Sequence, residues 1–256
     1  MGQVYIGTSG WSYKSWAKAF YPEDVPKNRH FEFYATQFPT VEINNTFYRL
    51  PTRAAVKAWR DKAPPGFVYA IKGSRFITHM KKLANLDGAL KKFFHQIQPL
   101  AKKTGVILWQ LPPMLRKDPA RLERFLNQLP KSYQYAVEFR HPSWLDEEIF
   151  ALLRKHRAAH VSLSSQAMPM NLTVTADLVY IRFHGLAGGS AHDYTRAELE
   201  PWARHIRQQQ RHGRTVFAYF NNDVNVRAPA NAMMLMEMAA EAHDVARMAN
   251  SLSIEY

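Results

Sequence analysis

The stretch 178–184, LVYIRFH, decides how the rest of this 256-residue chain is read. Side chains on a β-strand alternate between its two faces. Ile181 and Phe183 make one face apolar and suited to packing against helices, and Tyr180, Arg182 and His184 fall on the other. The same division recurs along the chain. Val41 and Ile43 oppose Glu42 and Asn44, Val137 and Phe139 oppose Glu138 and Arg140, and Val216, Ala218 and Phe220 oppose Tyr219, Asn221 and Asp223. Strands three and four add Lys72 and Gln110 to the polar face, strand six adds Ser164 and strand one adds Ser9.

Runs of this β-branched and aromatic character occur at 3–9, 40–46, 67–73, 106–111, 134–141, 160–165, 178–184 and 215–222. Helical patterns are predicted between them near 28–37, 52–63, 87–103, 118–128, 145–157 and 195–212, with a last one near 228–249. Asp118 followed by Pro119 has the form of an N-cap and a proline at the first helical position. Strand alternating with helix implies parallel pairing. Eight such strands predict an α/β fold of the TIM-like (β/α)8 barrel class, with residues 1–256 as one domain. The sixth unit is the exception: Pro169 and the Thr173-Val174-Thr175 run are poor helix, so the sixth helix is expected to be short or degenerate. A doubly wound open sheet is the alternative, but the glycine-rich turn it needs after strand one is missing.

In a barrel the polar face is the interior, and its polar residues would gather at the C-terminal strand ends, where barrel enzymes hold their active sites. Burying charges is costly unless they are paired or used. Two outcomes are therefore open. One is a self-satisfied network in which Glu42, Glu138 and Asp223 balance Lys72, Arg140 and Arg182; the other is a ligand pocket. In the pocket reading Glu42 or Glu138 is the general base and His184 the general acid, imidazole being the group that titrates near neutrality. Lys72, Arg140 and Arg182 would hold an anion, because guanidinium forks match phosphate oxygens. Ser9, Asn44, Gln110, Asn221 and Asp223 complete the inward substrate-binding set. Trp11, Tyr48 and His79 join it from the loops beyond the strands, where Tyr13, Trp16, Phe47 and Trp144 are also expected at the rim. The glycines of 185–189, GLAGG, offer backbone able to approach an anion or to hinge a lid.

Several short motifs, taken together and in order, carry a family resemblance. Gly7-Thr8-Ser9-Gly10-Trp11-Ser12-Tyr13, Phe20-Tyr21-Pro22, Val41-Glu42-Ile43-Asn44 with Thr46-Phe47-Tyr48, Gln110-Leu111-Pro112-Pro113, Glu138-Phe139-Arg140-His141, Arg182-Phe183-His184-Gly185 and Phe220-Asn221-Asn222-Asp223 resemble the DUF72 (YecE-like) family. The resemblance implies a TIM-like barrel and supplies no reaction. Barrels of this kind have been likened to those of endonuclease IV and the sugar isomerases, but fold analogy does not transfer a function. The cations interleaved among Glu42, Glu138, His184 and Asp223 compete with a divalent metal, so a metal is not required; Mg²⁺ or Mn²⁺ would suit the carboxylates better than zinc.

Composition bounds the remaining possibilities. The chain has no cysteine, which removes disulfides, thiolate metal sites and thiol nucleophiles. Its N-terminus lacks the pattern of a signal peptide and no apolar run is long enough to span a bilayer, so a soluble cytoplasmic protein without a membrane partner is expected. Lys and Arg number 34 against 21 Asp and Glu, a net charge of +13. That exceeds the magnitude of about 2–8 common for small domains and favours an anionic partner. The leading expectation is an enzyme acting on an anionic, phosphate-bearing small molecule, by phosphodiester hydrolysis or by isomerisation through proton abstraction. The alternative is a non-catalytic barrel that binds nucleic acid or a nucleotide, with the basic surface supplying salt-sensitive attraction.

Overall fold

Every strand read from the alternation is present, and each pairs in parallel with its neighbour. In the computed structural model, which describes residues 1–252 and side chains to residue 240, the strands are β1 (Val4–Thr8), β2 (Thr40–Ile43), β3 (Val68–Lys72), β4 (Thr104–Gln110), β5 (Tyr135–Glu138), β6 (Ala158–Ser165), β7 (Leu178–Gly185) and β8 (Thr215–Phe220). They follow one another around a single sheet in the order β1-β8-β7-β6-β5-β4-β3-β2. A parallel bridge between Ser9 and Glu42 brings the two edges, β1 and β2, together and closes the ring. The architecture is a TIM-like barrel.

The connecting helices are α1 (His30–Gln37), a single turn α2 (Asn45–Tyr48), α3 (Arg53–Lys62), α4 (Asp87–Ile97), α5 (Pro119–Asn127), α6 (Glu147–Lys155), α7 (Arg196–Arg211) and α8 (Arg227–Leu252). Local chemistry starts several of them. Thr52 caps α3, and the Asp118 side chain accepts the Arg121 amide at 2.9 Å with Pro119 in the first turn of α5. Thr195 and Glu198 form a reciprocal capping box on α7. The spacing of Leu90, Phe93 and Ile97 buries one stripe of α4. No helix joins β6 to β7. The Thr175 hydroxyl instead donates to the Ala158 carbonyl at 2.7 Å and accepts the His160 amide at 2.7 Å, which clips the connection flat along β6.

Alternation sorts the core into two layers. Ala70, Val106, Leu108, Ala136, Ala159, Val161, Leu163, Leu178, Tyr180, Phe217 and Tyr219 fill the barrel, and Tyr5 stacks on Phe217 at its N-terminal end. Ile43, Val137, Phe139, Ile181, Phe183, Val216, Ala218 and Phe220 face the helices. One inward assignment is wrong. Leu163, not Ser164, fills the interior on β6; Ser164 points to the helix side, where its hydroxyl accepts from Tyr194 Oη at 2.8 Å. Two apolar neighbours at 161 and 163 set the parity of that strand, and a single serine between them could not.

Gly7 marks how tightly the barrel closes. A β-carbon there would lie 2.4 Å from the Thr40 carbonyl oxygen of β2. Gly7→Ala is therefore expected to push β1 from β2 and to lower stability by about 1–3 kcal/mol, the usual cost of overpacking, read as a drop in the urea midpoint at unchanged slope. Among the described residues, no helix is long and apolar enough to cross a membrane.

Candidate active site

The interior turns from apolar to ionic at the C-terminal ends of the strands. Glu42 of β2, Glu138 of β5 and Arg182 of β7 are each fully buried there. Arg182 donates through Nη2 to Glu42 Oε1 at 2.7 Å and through Nη1 to Glu138 Oε2 at 2.6 Å, so one guanidinium spans two carboxylates. Ser9 Oγ also donates to Glu42 Oε1 at 2.7 Å, and Tyr180 Oη donates to Glu42 Oε2 at 2.6 Å. The Nε of Arg140 donates to the second oxygen of Glu138. Burial alone would raise the pKa of both acids, but Arg182 with Lys72 holds Glu42 below its ordinary value, and Arg140 with Arg182 holds Glu138 well below. Both stay ionised.

His184 completes the group. Arg140 Nη2 donates to its Nε2 at 2.8 Å and Arg182 Nη1 approaches the same nitrogen at 3.1 Å. A guanidinium can only donate, so Nε2 accepts and the proton of the neutral ring sits on Nδ1; the Asn221 amide atom 3.2 Å away, placed as Nδ2, accepts that proton once the carboxamide is turned over to present its oxygen. Burial and the Arg182 charge push the imidazole down to about 4. At neutral pH His184 is thus an acceptor held by two arginines, which is the reverse of the general acid expected from its residue type.

Lys72, at the end of β3, stands apart. It is 8% exposed and joins no ion pair among the described residues. Its Nζ lies 4.2 Å from the centre of the Phe47 ring. Burial, then Arg182, pushes its ammonium down to about 7 against the pull of Glu138 and Glu42. His79 meets the edge of the same Phe47 ring at 5.0 Å, and burial with the Lys72 charge lowers its pKa.

A cavity of about 290 Å³ opens at this end, lined by Gly10, Trp11, Ser12, Tyr13, Asn44, Asn45, Tyr48 and Asn221. Trp11, Asn44, Tyr48 and Asn221 of the expected set therefore meet around one space, with Tyr48 71% exposed at its rim. Ser9, Glu42, Lys72, Glu138, Arg140, Arg182 and His184 lie in or beside the ion network. Gln110 pairs in register with Glu138, which keeps it at the strand-end level. Asp223 sits to one side: Trp16 Nε1 donates to it, and burial raises its carboxyl to about 6. The balanced salt-bridge set thus loses two members, since neither Asp223 nor Lys72 joins an ion pair among the described residues.

Some rim residues are core anchors instead. Trp16 and Trp144 are wholly buried, the latter stacked on Phe139 at 4.9 Å. The 185–189 segment is a closed turn: Gly185 has φ +87°, and a β-carbon there would collide with the Gly189 carbonyl oxygen at 1.7 Å. Tyr180 was not among the expected site residues, although its parity with Arg182 signalled it. Asn45 was also missed, because α2 is too short to register as a helix in the sequence pattern.

The donor set does not suit a divalent cation. Ser9, Tyr180, Arg140 and Arg182 already occupy the oxygens of Glu42 and Glu138, with a guanidinium charge between the two carboxylates. Among the described residues, no group of three or more His, Asp or Glu is placed to hold a metal ion.

Fold and site together define a parallel barrel with a buried carboxylate–arginine network beneath its C-terminal mouth. Residues 5–253 match the family described as "Protein of unknown function DUF72", and the chain belongs to that family. It is 34% identical to the UPF0759 protein YecE of Escherichia coli over 143 residues, which cover 55% of this chain and 50% of that protein; the match spans half the length of that relative. It is 23% identical to the UPF0759 protein YunF of Bacillus subtilis across 92% of this chain and 94% of that one. A DUF72 family crystal structure from Thermotoga maritima superposes with a TM-score of 0.83 at 28% identity, covering 92% of this chain and 98% of the other. One from Enterococcus faecalis, at 19% identity, gives 0.81 over 93% and 95% and bears on the fold alone.

Proposed function

We propose that the strand-end mouth binds a small anionic molecule of the phosphate-bearing class and acts on it by proton transfer. The observation that carries this reading is the arrangement of charge: Glu42 and Glu138 are turned onto Arg182, while Arg140 is 20% exposed and Lys72 has no acid partner. Cationic groups are therefore left to meet a ligand, with the acids bound behind them. In this reading the carboxylates fix the guanidinium groups in place and do not serve as the base. Lys72, held down to about 7, can accept and return a proton at neutral pH. Isomerisation by proton abstraction uses such a group, and it is favoured here over phosphodiester hydrolysis, for which both acids would first have to leave their arginines.

The test is calorimetric titration with inorganic phosphate and with a sugar phosphate. Arg140→Ala is expected to weaken binding by about tenfold or more, the worth of one charge-assisted contact, and Arg140→Lys to recover part of the loss because it keeps the charge but not the fork. Equal affinity in all three proteins would overturn the proposal. Retention of duplex DNA with a steep salt dependence, and indifference to phosphate, would instead favour the nucleic-acid-binding alternative.

A further inference from the structure

We propose that Lys72 condenses with a carbonyl carbon of the bound molecule to form an imine, so that the substrate of this mouth is an anionic aldehyde or ketone. The inference rests on the anion-binding reading above and narrows it to a substrate class.

The geometry argues for a nucleophile here. Two buried carboxylates lie close enough for their charges to act on Lys72, yet both are committed to arginines, and the amine rests on an aromatic face. A lysine whose role was to neutralise the network would be bonded to it. The main chain at Lys72 is fixed, because the Thr46 hydroxyl donates to its carbonyl at 2.5 Å. Ile43, the last residue of β2, pairs in register with Ile71, so Asn44, the next residue, stands beside Lys72. Asn44 lines the cavity, and its Oδ1 is buried without a hydrogen-bond partner. Such an acceptor calls for a donor that the protein does not supply. The hydroxyl of a carbinolamine on Lys72, or one on the substrate carbon beside the carbonyl, has the polarity to fill it.

The step balances without an added oxidant or reductant. The lone pair of the neutral amine forms the N–C bond while the carbonyl π pair moves to oxygen. The nitrogen then loses a proton and the oxygen gains one, giving the carbinolamine. The hydroxyl leaves as water after protonation, and the nitrogen lone pair forms the C=N bond. Attack needs the neutral amine, and an ammonium brought down to about 7 supplies it at physiological pH. The resulting iminium draws electrons from the neighbouring C–H bond; with Lys72 spent as the nucleophile, the proton passes to the water that the condensation releases.

The experiment exposes the intact protein to glyceraldehyde 3-phosphate, and separately to glyceraldehyde, in the presence of sodium cyanoborohydride, followed by peptide mass spectrometry. Reduction of the imine adds the mass of the aldehyde less one oxygen atom. Lys72 is expected to be labelled by the phosphorylated aldehyde at least about tenfold faster than surface lysines, with a rate that rises through about pH 7. The Lys72→Arg variant, checked for folding by its melting temperature, should lack that adduct. Inorganic phosphate should compete with it. Labelling of Lys72 by both aldehydes, undiminished by phosphate, would uphold the imine and overturn the anion-binding reading. Labelling confined to surface lysines, in protein that still binds phosphate by calorimetry, would overturn the imine and leave the anion-binding reading standing.

Discussion

Arg182→Met is expected to lower the melting temperature by about 6–20 °C. Removing one member of a buried ion pair costs about 3–5 kcal/mol, and each kcal/mol moves the midpoint by about 2–4 °C in a chain of this size. Arg182 is fully buried and is the group that Glu42 and Glu138 share, so its loss leaves two carboxylates facing each other in the barrel. The pH dependence should change sign. In the wild-type protein both acids titrate below their ordinary value of 4.5, so the stability they bring is complete above that value and is lost as pH falls through their folded values. Without Arg182, burial is left to raise Glu42 against the Lys72 charge alone, while Glu138 keeps Arg140. The variant should then gain stability as pH falls from neutrality, and its deficit against wild type should narrow. The triple variant Glu42→Gln, Glu138→Gln, Arg182→Met should recover part of the loss, because both fully buried carboxylates are neutralised together with their shared guanidinium and Arg140, the partner left behind, is partly exposed. Urea midpoints at pH 7 and pH 5 measure all of this. A single Arg182→Met variant that melts within about 2 °C of wild type would show that the network does not hold the strand ends together.

Much of this was legible in the sequence because a strand writes its two faces at a fixed period. Glu42, Glu138 and Arg182 were each flanked by apolar residues of opposite parity, and closing the sheet brings such positions to one axis whatever the loops do. Alternation failed where one face had no contrast. In 160–165 the serines and hydrophobics did not separate cleanly, and Ser164 went to the wrong side. Roles were harder to read than places. Nothing in the order of residues says that a single arginine will take both acids, or that two guanidinium groups will fix His184 as an acceptor. Those depend on side-chain reach across the barrel, between residues 140 positions apart in the case of Glu42 and Arg182. The short turn α2 and the π-helical segment Phe76–Met80, which carry Phe47 and His79 to the mouth, are likewise too brief for any periodicity to announce.

Lys72→Met is expected to make the protein more stable, by up to about 4 kcal/mol at pH 7. The wild-type lysine is buried, has no acid bonded to it and is brought from 10.5 to about 7 by burial and by Arg182. Between those values the unfolded chain holds a proton that the folded chain gives up, so wild-type stability falls as pH drops from about 10 towards 7 and the full cost is present below that. Methionine has a similar length, carries no charge and can lie on the Phe47 ring where the lysine stem now lies. The gain should therefore be largest at and below neutral pH and should shrink as pH rises towards 10.5, above which the wild-type amine is neutral in both states. Denaturant midpoints for the two proteins across pH 6–10 give the comparison. A destabilised Lys72→Met would mean that the ammonium supports Glu42 and Glu138 as part of the network, and the free amine on which the imine depends would be lost with it. A stabilised variant that no longer takes up the phosphorylated aldehyde marks Lys72 as a residue kept at a cost to the fold, which is the usual signature of a group retained for chemistry.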